Sequence, residues 1–174
     1  LTGQYSHNHG VVLNGYSKTF DGNLALPVWL KSAGYRTALI GKYLFGKVRV
    51  STPPGWDLFS GRGGLADTVF AQADIYIRSA GEDPFFLLLA PVDPHIKAKP
   101  PARYRKAMPV MPPLPPNVDE ADVSDKPVWV RNLKPLGAGK VKRLEAERLN
   151  AYRALMAVDD GVETVLTALA ETGR

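Results

Sequence analysis

Apolar positions along this chain recur at two different periods, and the change of period marks its elements. From Asn23 to Ala33 a short helix is expected: Leu24, Val28 and Leu30 fall near one side, Pro27 fits only a first turn, and Gly34 stops it. Tyr35-Arg36-Thr37-Ala38-Leu39-Ile40 then reads as a strand, followed at once by Gly41-Lys42. The layout repeats. Ala66 to Ser79 carries Val69, Phe70, Ala73 and Ile77 at helical spacing, and a turn over Gly81 to Pro84 leads to Phe85-Phe86-Leu87-Leu88-Leu89-Ala90. That uninterrupted apolar run predicts a strand buried on both faces, ending at Pro91-Val92-Asp93-Pro94-His95.

Helix and then strand, twice, predicts an α/β fold with a mostly parallel sheet sandwiched between helices. Right-handed crossovers bring successive strand ends to one edge, and functional groups of open α/β sheets collect beyond the carboxyl ends of the strands. Lys42 and His95 each follow such an end. From Lys142 onward Leu149, Tyr152, Leu155, Met156, Val162, Val165, Leu166 and Leu169 form an apolar stripe on a long helix, with Gly173 as its stop. Between these parts lies a Pro-rich stretch, residues 100–135. It reads either as a linker or as an ordered surface loop, with Tyr104, Val128, Trp129 and Val130 as apolar anchors favouring order.

Composition narrows the functional classes. The net charge of +5 and pI near 9.5 describe either a solvated basic surface or a surface for an anionic partner. No zinc-finger spacing or RNA-recognition signature points to nucleic acid. Absence of cysteine removes disulfide and thiol chemistry from these 174 residues. No apolar run approaches the roughly 20 residues of a membrane helix.

Several residues are candidates for chemistry. Lys42 is either a surface lysine at a turn or a compact cation beside a bound anion. His95, between Pro94 and the basic tail Ile96-Lys97-Ala98-Lys99, is either an exposed histidine or a hydrogen-bond donor and general acid. His7 and His9 flank Asn8 in a turn and read as loop residues, as substrate contacts or, less simply, as two ligands of a metal with no third in view. Asp159-Asp160 diverge by about 100° on a helix, which favours surface or hydrogen-bonding roles over one shared ion. Gly61-Arg62-Gly63-Gly64 lacks the Lys-Ser/Thr ending of a phosphate loop.

These stretches together resemble the formylglycine-dependent sulfatases of the alkaline-phosphatase-like superfamily. Leu1-Thr2-Gly3-Gln4-Tyr5 is similar to the end of the Cys-x-Pro-Ser-Arg-x-x-x-Leu-Thr-Gly signature. Gly34-Tyr35-Arg36-Thr37 through Gly41-Lys42-Tyr43 resembles the second signature, and Pro84-Phe85-Phe86 through Pro94-His95 the strand before a Pro-His motif. Pro53-Pro54-Gly55-Trp56-Asp57 and Tyr152 through Asp160 also fit. His7-Asn8-His9 and Gly41-Lys42-Tyr43-Leu44 are most similar to the N-acetylglucosamine-6-sulfatase type.

The resemblance implies an alkaline-phosphatase-like fold, here incomplete, as a partial catalytic domain over residues 1–174. It implies hydrolysis of sulfate esters, with Lys42 binding sulfate and His95 acting on the leaving oxygen, and with His7, His9 and Lys97 near the substrate. It further implies a formylglycine upstream of Leu1 and a calcium ion whose ligands lie outside this chain, so that the 174 residues form an inactive fragment. The expected partner is a sulfated small molecule or glycan, and the expected setting periplasmic, secreted or lysosomal. Departures are Leu44 where the family often has histidine, Lys97 where it often has proline, and a shortened segment from Phe59 to Asp67. Two other readings stand beside this one. The first is a phosphodiesterase or phosphonate hydrolase of the same superfamily. The second is a non-catalytic module that binds sulfated glycans through Lys42, Lys97 and Lys99.

Overall fold

The computed structural model describes residues 1–44, 52–95 and 97–174. Its helices are α1 (Ser6–His9), α2 (Leu26–Ser32), α3 (Ala66–Ser79), α4 (Val128–Arg131) and α5 (Ala138–Glu171). Its strands are β1 (Arg36–Gly41), β2 (Leu58–Ser60) and β3 (Phe85–Ala90). The chain divides into two compact units, residues 1–93 with 157–174, and residues 94–156.

The first unit is built on a parallel sheet of order β2-β1-β3. β1 lies between its two partners, and from Thr37 to Gly41 it is fully buried. The apolar run of β3, expected to be buried on both faces, is instead half-buried along its length, because it pairs with β1 on one side only among the described residues. α3 covers one sheet face: Val69, Ala73 and Tyr76 pack on Ala38 and Ile40, with Phe85, Leu87, Leu89 and Val165 at the margin. Burying an aliphatic side chain the size of Ile40 is worth about 1.5–3 kcal/mol. On the opposite face Phe86 stacks on Trp56, with ring centroids 5.8 Å apart.

Thr37 is the buried polar residue of β1, and its hydrogen bonds are met. Its N–H donates to Asp57 Oδ2 at 2.9 Å, its hydroxyl reaches the Gly55 carbonyl at 2.5 Å, and Lys31 pairs with Asp57 Oδ1 at 2.6 Å. This network fastens the start of β1 to the chain entering β2 and to the end of α2.

The helix expected from Asn23 begins later than its apolar spacing suggests. Asp21 accepts the Asn23 N–H at 2.9 Å and caps a 3-10 turn over Gly22–Leu24, so α2 starts only at Leu26 with Pro27 in its first turn. Gly34 ends it with φ 87°. α5 also departs from its sequence stripe. Ala154, Ala157, Gly161 and Ala168 form its buried line, while Leu155, Val162 and Leu166 are exposed. Small residues admit a close neighbour: a Cβ on Gly161 would run into the Phe70 ring of α3.

In the second unit the Pro-rich stretch contains a 3-10 turn, Ala102–Tyr104, and α4. Of its expected apolar anchors, Val128 and Trp129 are 60% and 70% exposed, while Tyr104 and Val130 are half-buried. Arginines of α5 also hold it, Arg153 Nε donating to the Ala107 carbonyl at 2.8 Å and Arg148 to the Pro112 carbonyl at 3.0 Å.

Candidate functional site

The parallel register Arg36↔Phe85 through Gly41↔Ala90 puts the carboxyl ends of β1 and β3 side by side. At that edge the backbone N–H of Lys42 donates to the Ala90 carbonyl at 2.6 Å. The bond depends on Gly41, whose φ of 124° suits glycine and whose missing Cβ would collide with the Ala90 carbonyl oxygen. Beyond Lys42, the half-buried Tyr43 sets its ring edge-on to Phe59 at 5.2 Å, and burial raises its pKa against a hydrogen bond with Trp56. Lys42 is thus gripped on both sides while its own side chain is exposed.

The segment after β2 closes this edge. Arg62 forms an antiparallel bridge with Lys42, Gly63 N–H donates to the Gly41 carbonyl at 2.9 Å, and Val92 N–H donates to the Gly64 carbonyl at 2.9 Å. The chain therefore runs from the end of β2 across the tip of β1 to the extension of β3, with no intervening strand pair. Asp93 completes the arrangement by accepting the Ala66 N–H at 2.7 Å, at the start of α3. Neither Arg62 nor Asp93 stands out in the sequence as a site residue. The Gly-Arg-Gly-Gly run is the one available signal, and as a phosphate loop it fails.

His95 is exposed and follows the end of β3 by five residues in the chain, within the second unit. Ile96 lies outside the described residues. Lys97 is exposed with a φ of 63°, and Lys99 is exposed as well. At the start of the chain His7 is exposed and stacks on Tyr5, centroids 5.7 Å apart. His9 serves its own loop, since its Nδ1 accepts the Val11 N–H at 3.2 Å and its ring meets the edge of Phe20 at 6.2 Å. That occupies the Nδ1 lone pair. Among the described residues no three His, Asp or Glu side chains converge as a metal site, so these residues do not by themselves fit the calcium that the resemblance implies. No helix among them is long and apolar enough to cross a membrane.

The family model named Sulfatase matches residues 1–174. The chain belongs to the sulfatase family. It is 28% identical to an arylsulfatase of Volvox carteri over 98% of its own length and 36% of that protein. It also superimposes, with a TM-score of 0.70 and 19% identity, on the structure of BT4656 in complex with its substrate D-glucosamine-2-N,6-O-disulfate, covering 99% of this chain and 51% of that one. The sulfatase chain thus spans about a third of the curated relative and half of the solved one, and the second likeness establishes the α/β fold.

Proposed function

We propose that this chain belongs to an enzyme that hydrolyses sulfate esters, with Lys42 as the cation that binds the sulfate group. The observation that carries the reading is the fixed placement of Lys42 at the joined carboxyl ends of β1 and β3. A compact ammonium there can neutralise oxygens of a tetrahedral anion as charge moves onto them. His95 is the proposed donor to the leaving alcohol oxygen, and His7, His9 and Lys97 the proposed substrate contacts. In the net reaction water is consumed, the ester bond breaks, the alcohol takes a proton and sulfate leaves. Formylglycine and calcium remain expectations from the resemblance, and no step is assigned to either.

A sulfated sugar is the proposed substrate class, supported by the sulfated glucosamine that the structural neighbour takes as its substrate. The test is turnover of matched aryl sulfate and aryl phosphate esters by the full-length protein. Preference for the sulfate is expected, with Lys42→Ala lowering kcat/KM by about 10²–10³-fold. Preference for the phosphate would favour a phosphoesterase of the same superfamily. Binding of sulfated glycans with no turnover would favour a binding module.

A further inference from the structure

The bridge between Lys42 and Arg62 places two like charges directly opposite each other across an antiparallel pair. Paired residues in that geometry project to the same face with Cβ atoms about 5 Å apart, and equal charges so placed repel. Both side chains are exposed, and neither has a carboxylate partner among the described residues. Asp93, beside this stretch, accepts the Ala66 N–H. The backbone enforces the juxtaposition, since the Gly63 N–H bond to Gly41 and the Val92 N–H bond to Gly64 hold the Arg62 segment across the strand tips. Two cations held side by side, with no carboxylate partner among the described residues, repel each other, and an anion shared between them relieves that repulsion.

We propose that Arg62 is a second anion-binding residue of this edge, its guanidinium sharing one tetrahedral oxyanion with the Lys42 ammonium. The inference deepens the sulfatase reading and rests on Lys42 being the sulfate-binding cation. The two side chains play different parts. A guanidinium presents a planar fork to two oxygens, while an ammonium is a point charge that follows the remaining oxygens. In a substrate, the sulfate ester supplies such oxygens.

The test is a titration of the isotopically labelled 174-residue chain with sodium sulfate, ionic strength held constant with sodium chloride, following the amide resonances of Lys42 and Gly63. Both amides are expected to shift along one saturable curve. Arg62→Gln and Lys42→Gln should each weaken binding about tenfold. The double variant should lose less than the product of the two, because either single variant has already broken the shared arrangement. Arg62→Lys, which keeps the charge and loses the fork, should fall between wild type and Arg62→Gln. Unchanged affinity in Arg62→Gln, with binding lost in Lys42→Gln, would overturn the role of Arg62 and leave the sulfatase reading standing. Unchanged affinity in Lys42→Gln would overturn both, as would shifts that chloride reproduces.

Discussion

Replacing Gly41 by alanine would drive a methyl carbon into the Ala90 carbonyl at the point where β1 and β3 end together. The ideal Cβ would also lie 2.5 Å from the Ala90 carbonyl carbon and 2.9 Å from its nitrogen, all backbone atoms that no rotamer change can move. The φ of 124° adds strain for any L side chain, on the order of 1–3 kcal/mol. If the strands part to relieve the collision, the Lys42 N–H bond to Ala90 and the Gly63 N–H bond to Gly41 are lost, at about 1 kcal/mol each. The sum, about 3–5 kcal/mol, is a large share of the roughly 5–15 kcal/mol that holds a typical domain folded. Urea unfolding followed by tryptophan fluorescence suits the measurement, because Trp56 is buried against Phe86 while Trp29 and Trp129 are exposed. The midpoint should fall with an unchanged slope. Gly139→Ala serves as the control: its Cβ meets nothing within 4 Å on α5, so it should be neutral or slightly stabilising. A Gly41→Ala midpoint equal to that of wild type would refute the account of how the Lys42 edge is held.

Three further outcomes are expected. Gly161→Ala should lose about 1–2 kcal/mol in the same assay, the overlap with Phe70 outweighing the helix propensity of alanine; a stabilised variant would contradict the close packing of α5 on α3. Burial alone would raise the Asp57 carboxyl pKa, but Lys31 and the Thr37 donors outweigh it and hold the group below its ordinary value. Its contribution is therefore present above the unfolded pKa of about 3.9 and lost as pH falls through the lower folded value. The gap between wild type and Asp57→Asn, small because the pair is exposed, should be open near neutral pH and narrow as the pH falls below the ordinary carboxylate value; a gap independent of pH would contradict the pairing. Arg153→Met should free the chain around Ala107 and speed tryptic cleavage after Arg105 and Lys106, read by mass spectrometry, whereas an unchanged rate would show that the Arg153 bond does not hold that segment.

Elements with strong periodicity are legible from sequence, and elements fixed by tertiary pairing are not. Ala66–Ser79 and Phe85–Ala90 fold over the residues their apolar spacing predicts, the helix burying one face and the strand packing both of its faces in part. β2 has three residues and an exposed Leu58, so no pattern announces it; it exists because Asp57 is tied to Thr37 and delivers the chain alongside β1. The apolar run of β3 suggests burial on both faces, yet burial depends on which strands pair, and among the described residues β1 takes the middle. On α5 the large apolar residues are half-buried or exposed, and the fully buried line is alanine and glycine, which the close approach of Phe70 selects at Gly161. The Lys42 edge is legible from chain position alone. Arg62 is hidden because its closeness to Lys42 arises from a backbone crossing rather than from spacing.

If the joined ends of β1 and β3 hold a sulfate group at Lys42, they should also hold selenate, a heavier tetrahedral dianion of the same charge. Crystals of this chain soaked in selenate would answer the question directly by anomalous diffraction at the selenium edge. A selenium peak within hydrogen-bonding reach of Lys42 Nζ is the predicted result. Selenate bound elsewhere, with none at this edge, would contradict it.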